Sequence, residues 1–374
     1  MTSLSHPTPG GSALQIDPDP LLTAIPGMFG FLPERSLVII AFADRRNHVA
    51  TMRHDLVLSG SGRPTPCWTR ELDRFGSIVA GYGAAGVVAV VVDDRFDATD
   101  PAGELPRYRA VFRAVERCFT AAGGVSAGFV LPGFAVGAPW FTAWEPRCRA
   151  GRSLPPAPFT GTIPEHGRLS DPMASPAALH LAVYEGRRVL ARRSDLQEAL
   201  GPLAHCDDER CRAVEPVVPP GPPGERDAER SRRVLDLLRS GPVGELSCST
   251  TNELAEALSS VHVRDVLLAL ALTDLRDDAE ELWIRLARRL TGRAGAAAAT
   301  LLGHLHYMAG HGAFAGVALE RALQLDPDYH LAQLLDSALQ HGMRPSGLAD
   351  VLDYSFGLGR DLGVGLPART RTPA

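Results

Sequence analysis

Two uninterrupted apolar runs, Leu37 to Phe42 and Val87 to Val92, constrain the fold of this chain more than any other feature. Both are rich in branched side chains, and runs of this length suit strands covered on both faces, as in the middle of a layered α/β sheet. Neither approaches the roughly 20 apolar residues that cross a bilayer, so no membrane span is expected. Between them, Val49 to Leu58 alternates. Met52, His54 and Leu56 fall on one face and Thr51, Arg53 and Asp55 on the other, which predicts a half-exposed strand paired with the first as a hairpin.

Helices interleave with these strands. Leu21, Leu22 and Ile25 have helical spacing ahead of the first run. Thr65 and Pro66 offer an N-cap and a first helical residue for a stripe of Trp68, Leu72, Phe75, Val79 and Tyr82. Leu105, Tyr108, Phe112, Val115 and Phe119 repeat the arrangement, and strands are expected near Ala127–Leu131 and Trp140–Trp144. A long loop over 154–176 and helices over 177–184 and 194–200 complete an α/β N-terminal domain, a mixed sheet with flanking helices, over residues 18–213. Residues 1–17 read as a disordered leader and 356–374 as a tail.

The stretch 214–224 holds five prolines and cannot continue a helix or a central strand, which makes it a linker. Every later segment over 225–355 has helical spacing, so the second domain is all-α. Thr250 and Glu253 suggest a capping box there. Gly303, Gly310, Ala315, Ala322 and Pro327 sit at tetratricopeptide offsets, which predicts one degenerate hairpin over 296–329.

A net charge of −5 offers no basic footprint for nucleic acid or anionic lipid. With no apolar block after a basic start, the chain is expected to be cytoplasmic. Its six cysteines (Cys67, Cys118, Cys148, Cys206, Cys211, Cys248) are scattered and read as reduced. All 38 basic residues are arginine, a coding bias that says nothing of function.

The segment Pro18 to Val38, with Asp17 just ahead of it, carries D-P-x-x-L-L-x-x-I-P and then G-F-x-P-x-x-S-L-V, with Gly30, Phe31, Pro33 and Ser36 as its motif residues. Arg53, Asp55 and Leu56 follow, then Trp140 ahead of Cys148, Pro176-Ala177-Ala178, Arg193-Ser194-Asp195-Leu196, and the stretch Gly312 to Pro327. In this order the pieces resemble the actinobacterial family of domains of unknown function numbered 4192, over about residues 18 to 352. The resemblance implies an architecture and no reaction. Where members carry a cysteine pair after the position of Cys148, this chain has Arg149 and Ala150.

Gly81, Gly83 and Gly86 spell G-x-G-x-x-G, but they follow a helix and precede a strand, the reverse of a dinucleotide loop, and read as a helix cap and turn. His205, Cys206 and Cys211 with Cys248 lack the two tight pairs of a structural zinc site, so no metal and no cofactor is assigned. Ser61 has no nucleophile-elbow glycines. His304, His306 and His311 read as solvent-facing or partner-facing. No catalytic residue is assigned. The sequence therefore points to a non-catalytic regulatory or protein-interaction protein with an unknown protein partner. The alternative is an enzyme or small-ligand binder using Arg53, Asp55, Asp93 and Asp94, because ligands of open α/β sheets sit near the carboxyl ends of strands.

Overall fold

The structure is a computed structural model and describes residues 18–44, 47–60, 62–145, 163–205, 216, 221–241 and 244–373. The expected leader, Ser61, Cys148, Cys206, Cys211 and most of the proline-rich stretch lie outside the described residues. The chain divides into two compact units, with the division in sequence between Arg192 and Arg193.

In the first unit α1 (Asp19–Phe29) leads into β1 (Ser36–Phe42) and β2 (His48–Asp55). Then come α2 (Pro66–Gly81), β3 (Gly86–Val92), α3 (Pro101–Cys118), β4 (Val125–Leu131), β5 (Pro139–Trp144), β6 (His166–Arg168) and α4 (Pro176–Tyr184). The strands form one mixed sheet in the order β2-β1-β3-β4-β5-β6. Only β3 and β4 run parallel; the other neighbours are antiparallel.

Every residue of β1, β3 and β4 is buried. Leu37, Ile39, Val87, Ala89 and Val91 share a core with Trp68, Leu72 and Val79 of α2 and with Tyr108, Phe112 and Val115 of α3. On the opposite face Thr51 Oγ1 donates to Met28 Sδ of α1 at 3.5 Å, and the Arg53 guanidinium lies over the Phe31 ring. Full burial contributes about 1.5–3 kcal/mol per large apolar side chain, so runs without a polar residue settle in covered central strands.

Local signals act as the sequence implies. The Thr65 hydroxyl accepts from the Trp68 N–H at 3.3 Å and Pro66 opens α2. Of the three glycines, Gly83 takes a left-handed backbone (φ 76°) in the turn from α2 to β3, which begins at Gly86. Strand β6 lies inside the stretch expected to be loop. Three residues are too few to show alternation, and Gly167 is required there because a Cβ would lie 2.3 Å from the Trp140 ring.

The second unit holds α5 (Arg193–Ala199), α6 (Glu225–Arg239), α7 (Cys248–Leu258), α8 (Val261–Leu267), α9 (Arg276–Arg289), α10 (Gly292–Met308), α11 (Gly312–Leu325), α12 (His330–Gln340) and α13 (Ala349–Asp361). α10 is buried all round from Ala294 to Met308. It packs antiparallel on α11 so closely that a Cβ on Gly303 would meet Leu319 Cγ at 2.8 Å, and one on Gly295 would meet Leu325 Cδ1 at 3.1 Å. Ala315 and Ala322 are fully buried.

Several expectations are corrected in this unit. α5 belongs to it, because Arg193 and Gln197 both bond the Glu320 carboxylate of α11. α7 begins at Cys248 under a Ser247 hydroxyl that accepts from the Thr250 N–H, so an earlier serine replaces the Thr250/Glu253 capping box. α13 runs past residue 355, and the Thr370 N–H donates to the Leu272 carbonyl at 2.9 Å, so part of the expected tail is packed. His304 and His306 are buried rather than outward-facing, since α10 has no exposed side along that stretch. No helix of the described residues is long and apolar enough to cross a membrane.

Candidate functional site

The register of the sheet gathers charged residues at one end. Ser36 opens β1 and pairs with Asp55 at the end of β2 and with Val92 at the end of β3. Arg35, Asp55, Asp93 and Asp94 therefore line the carboxyl end of β2 and β3, where open α/β sheets hold ligands.

These charges are answered from within. The Asp93 carboxylate, 1% exposed, accepts from Arg95 Nε at 2.7 Å, Arg95 Nη2 at 2.9 Å, the Arg95 N–H at 3.2 Å and Tyr108 Oη at 3.0 Å. Burial, with the Asp93 charge beside it, pushes the Tyr108 phenol well above its ordinary range and keeps it a donor. The hydrogen bond to Asp93 raises the Arg95 pKa. Asp94 accepts a two-pronged contact from Arg35, at 2.7 Å from Nε and 3.0 Å from Nη2, which lowers the Asp94 pKa. Arg35 reaches it from a left-handed backbone (φ 41°). Arg53 and Asp55 point the same way from β2, as the alternation implies, and pair at 2.6 Å.

So Asp93 and Asp94 are chain neighbours with separate arginines, and Arg53 and Asp55 serve each other. Of the resemblance residues, Gly30 caps α1 in a left-handed conformation, Phe31 bridges to Leu190 and underlies Arg53, and the Ser36 hydroxyl donates to the Glu34 carbonyl. Each has a structural task; Pro33 stands in the extended connection between Phe31 and Ser36. Arg35, Arg95 and Tyr108 complete the cluster without having been singled out from sequence. Arg95 follows the paired aspartates directly, a signal that was available.

An open concavity lies further along the sheet. A cleft of about 730 Å³ is lined by α3 on one wall and by β5 and β6 on the other, and none of Arg53, Asp55, Asp93 or Asp94 lines it. Ala102, Leu105, Arg109 and Arg113 recur at spacings of three and four, so α3 presents one stripe to the cleft. Phe141, Thr142, Ala143, Trp144 and Glu145 face them, with Glu165 and His166 beside. The two walls run in register. Phe96, just ahead of α3, packs on Phe141 with ring centroids 5.4 Å apart, and Phe112 further along α3 stacks on Trp144 at 6.4 Å and 22°. Gly128 makes that stacking possible, since a Cβ there would lie 2.6 Å from both the Phe112 ring and Trp144 Cβ. Arg109 and Arg113 have no ion pair or hydrogen bond among the described residues, whereas Arg107 of the same helix bonds Glu104.

No group of three or more His, Cys, Asp or Glu side chains among the described residues is arranged to hold a metal ion. His205 Nδ1 and Cys248 Sγ stand 3.9 Å apart, while Cys206 and Cys211 lie outside the described residues.

A family model described as "Domain of unknown function (DUF4192)" matches residues 18–346. No curated protein and no solved structure matches the chain.

Proposed function

We propose, because the chain belongs to the DUF4192 family of domains of unknown function and that description assigns no reaction, a function read from geometry alone: a non-catalytic binding protein. The observation that carries it is the internal closure of the charges at the carboxyl end of the sheet. A general base needs a carboxylate free to accept a proton within reach of a substrate group. Asp93 is buried with four donors on it, and the exposed Asp94 and Asp55 are each paired with an arginine at the surface.

In this reading the α/β unit is the recognition unit and the helical unit serves a protein partner in the cytoplasm. The α10–α11 hairpin is its tetratricopeptide-like element, and stacked helix pairs of that kind build interaction surfaces. The net charge of −5 argues against nucleic acid as the partner.

The test is Asp93→Asn in the full chain, compared with the wild type by denaturant titration and by native mass spectrometry of the affinity-purified protein. A structural Asp93 predicts a loss of about 1–3 kcal/mol with the bound partner retained. A co-purifying molecule that the wild type converts to a new mass, and that a folded Asp93→Asn variant leaves unchanged, would make Asp93 catalytic and end the binding reading.

A further inference from the structure

We propose that the cleft between α3 and the β5–β6 edge binds a nucleoside phosphate, with the base at the Leu105–Phe141 end and the phosphate at Arg109 and Arg113. The proposal goes beyond the binding reading above and stands or falls without the helical unit's partner.

Size and shape come first. The volume of about 730 Å³ is that of a small-molecule pocket. From Leu105 to Arg113 the helix advances eight residues, roughly 12 Å. A ligand lying along this wall meets an apolar zone and then a cationic one.

The cationic zone is built for an anion. Arg109 and Arg113 sit one turn apart on the stripe that faces the cleft, and like charges at that spacing repel. Neither is neutralised among the described residues. An oxyanion bridging both would relieve the repulsion, and the guanidinium fork matches phosphate geometry.

The other zone supplies a platform. Phe141 is half-buried, with the Phe96 ring at a centroid distance of 5.4 Å and the His166 ring at 6.3 Å. A ring held in this way offers a fixed face to a planar base, with Leu105 across the cleft. Glu165, which only accepts when ionised, lines the strand wall beside Phe141 and forms no ion pair with either arginine among the described residues. It suits the hydroxyls of a sugar or an exocyclic amine, groups that inorganic phosphate lacks.

The experiment is calorimetric titration of the full chain with AMP, GMP and UMP. Adenosine, ribose 5-phosphate and inorganic phosphate serve as fragments, with tryptophan fluorescence recorded in parallel because Trp144 lies at the phosphate end. At least one nucleotide should bind saturably below millimolar concentration, and each fragment at least ten-fold more weakly. The double variant Arg109→Gln/Arg113→Gln changes two exposed side chains, so its melting curve should match the wild type while nucleotide affinity falls at least 50-fold. Three outcomes overturn the proposal: none of the nucleotides saturates below millimolar, inorganic phosphate binds as tightly as the best nucleotide, or the folded double variant binds like the wild type.

Discussion

His304 gives the helical unit a pH dependence that can be worked out in advance. The side chain is 1% exposed in the middle of α10, its Nε2 has no hydrogen-bond partner, and burial lowers its pKa to about 4. In the unfolded chain it titrates at about 6.5. Between these values the unfolded state carries a proton that the folded state refuses, so stability falls as pH drops from about 6.5 to about 4. A tenfold change in proton affinity is about 1.4 kcal/mol, which makes the full loss about 3 kcal/mol, of which about 2 kcal/mol has been incurred by pH 5. Denaturant titrations of the wild type and His304→Leu at pH 8 and pH 5 isolate the effect. Any packing change in the variant is common to both pH values and cancels. His304→Leu should lose about 2 kcal/mol less than the wild type on acidification. Equal losses would show that His304 is hydrated or partnered in the folded protein, and the reasoning would fail.

Other expectations follow from packing and from thiol environment. Gly128→Ala places a methyl group 2.6 Å from Phe112 and Trp144, so it should cost about 1–3 kcal/mol and alter the near-UV circular dichroism of the aromatic pair. Ala322→Leu overpacks a fully buried site of α11 and should lower the unfolding midpoint of the full chain, whereas the exposed Gln324 should tolerate alanine within about 0.5 kcal/mol. Equal behaviour of these two variants would undo the hairpin packing. A thiol reagent at pH 8 should modify the exposed Cys67 readily and leave Cys118 until unfolding, because burial and a hydrogen bond to Asp73 push the Cys118 thiol up to about 12.

The sheet was legible where local sequence and tertiary environment agree. Leu37–Phe42 and Val87–Val92 lie within strands buried on both faces, and Thr65-Pro66 opens a helix with the expected cap. Short elements were not legible. β6 is only three residues long and is defined by pairing with β5 and by the indole of Trp140, neither of which leaves a periodic trace. The histidines of α10 were misread because a helix buried all round shows no polar face to mark inside from outside. The candidate acids were legible as a group at one end of the sheet, yet not as closed pairs, since Arg35 and Asp94 meet across 59 positions of sequence. The cleft was invisible for a related reason. Arg109 and Arg113 read as an ordinary solvated helix face until β5 and β6 are folded opposite them.

Amide hydrogen exchange of the full chain with and without the tightest-binding of AMP, GMP and UMP, together with mass analysis of the recovered nucleotide, tests the central claim most directly. A non-catalytic protein that binds in the α3–β5 cleft predicts slowed exchange in Leu105–Arg113 and Phe141–Trp144, unchanged exchange at Arg35, Asp55 and Asp93–Arg95, and the nucleotide returned intact. Protection confined to the Arg35–Asp94 end of the sheet, or the nucleotide returned as a different compound, would contradict it.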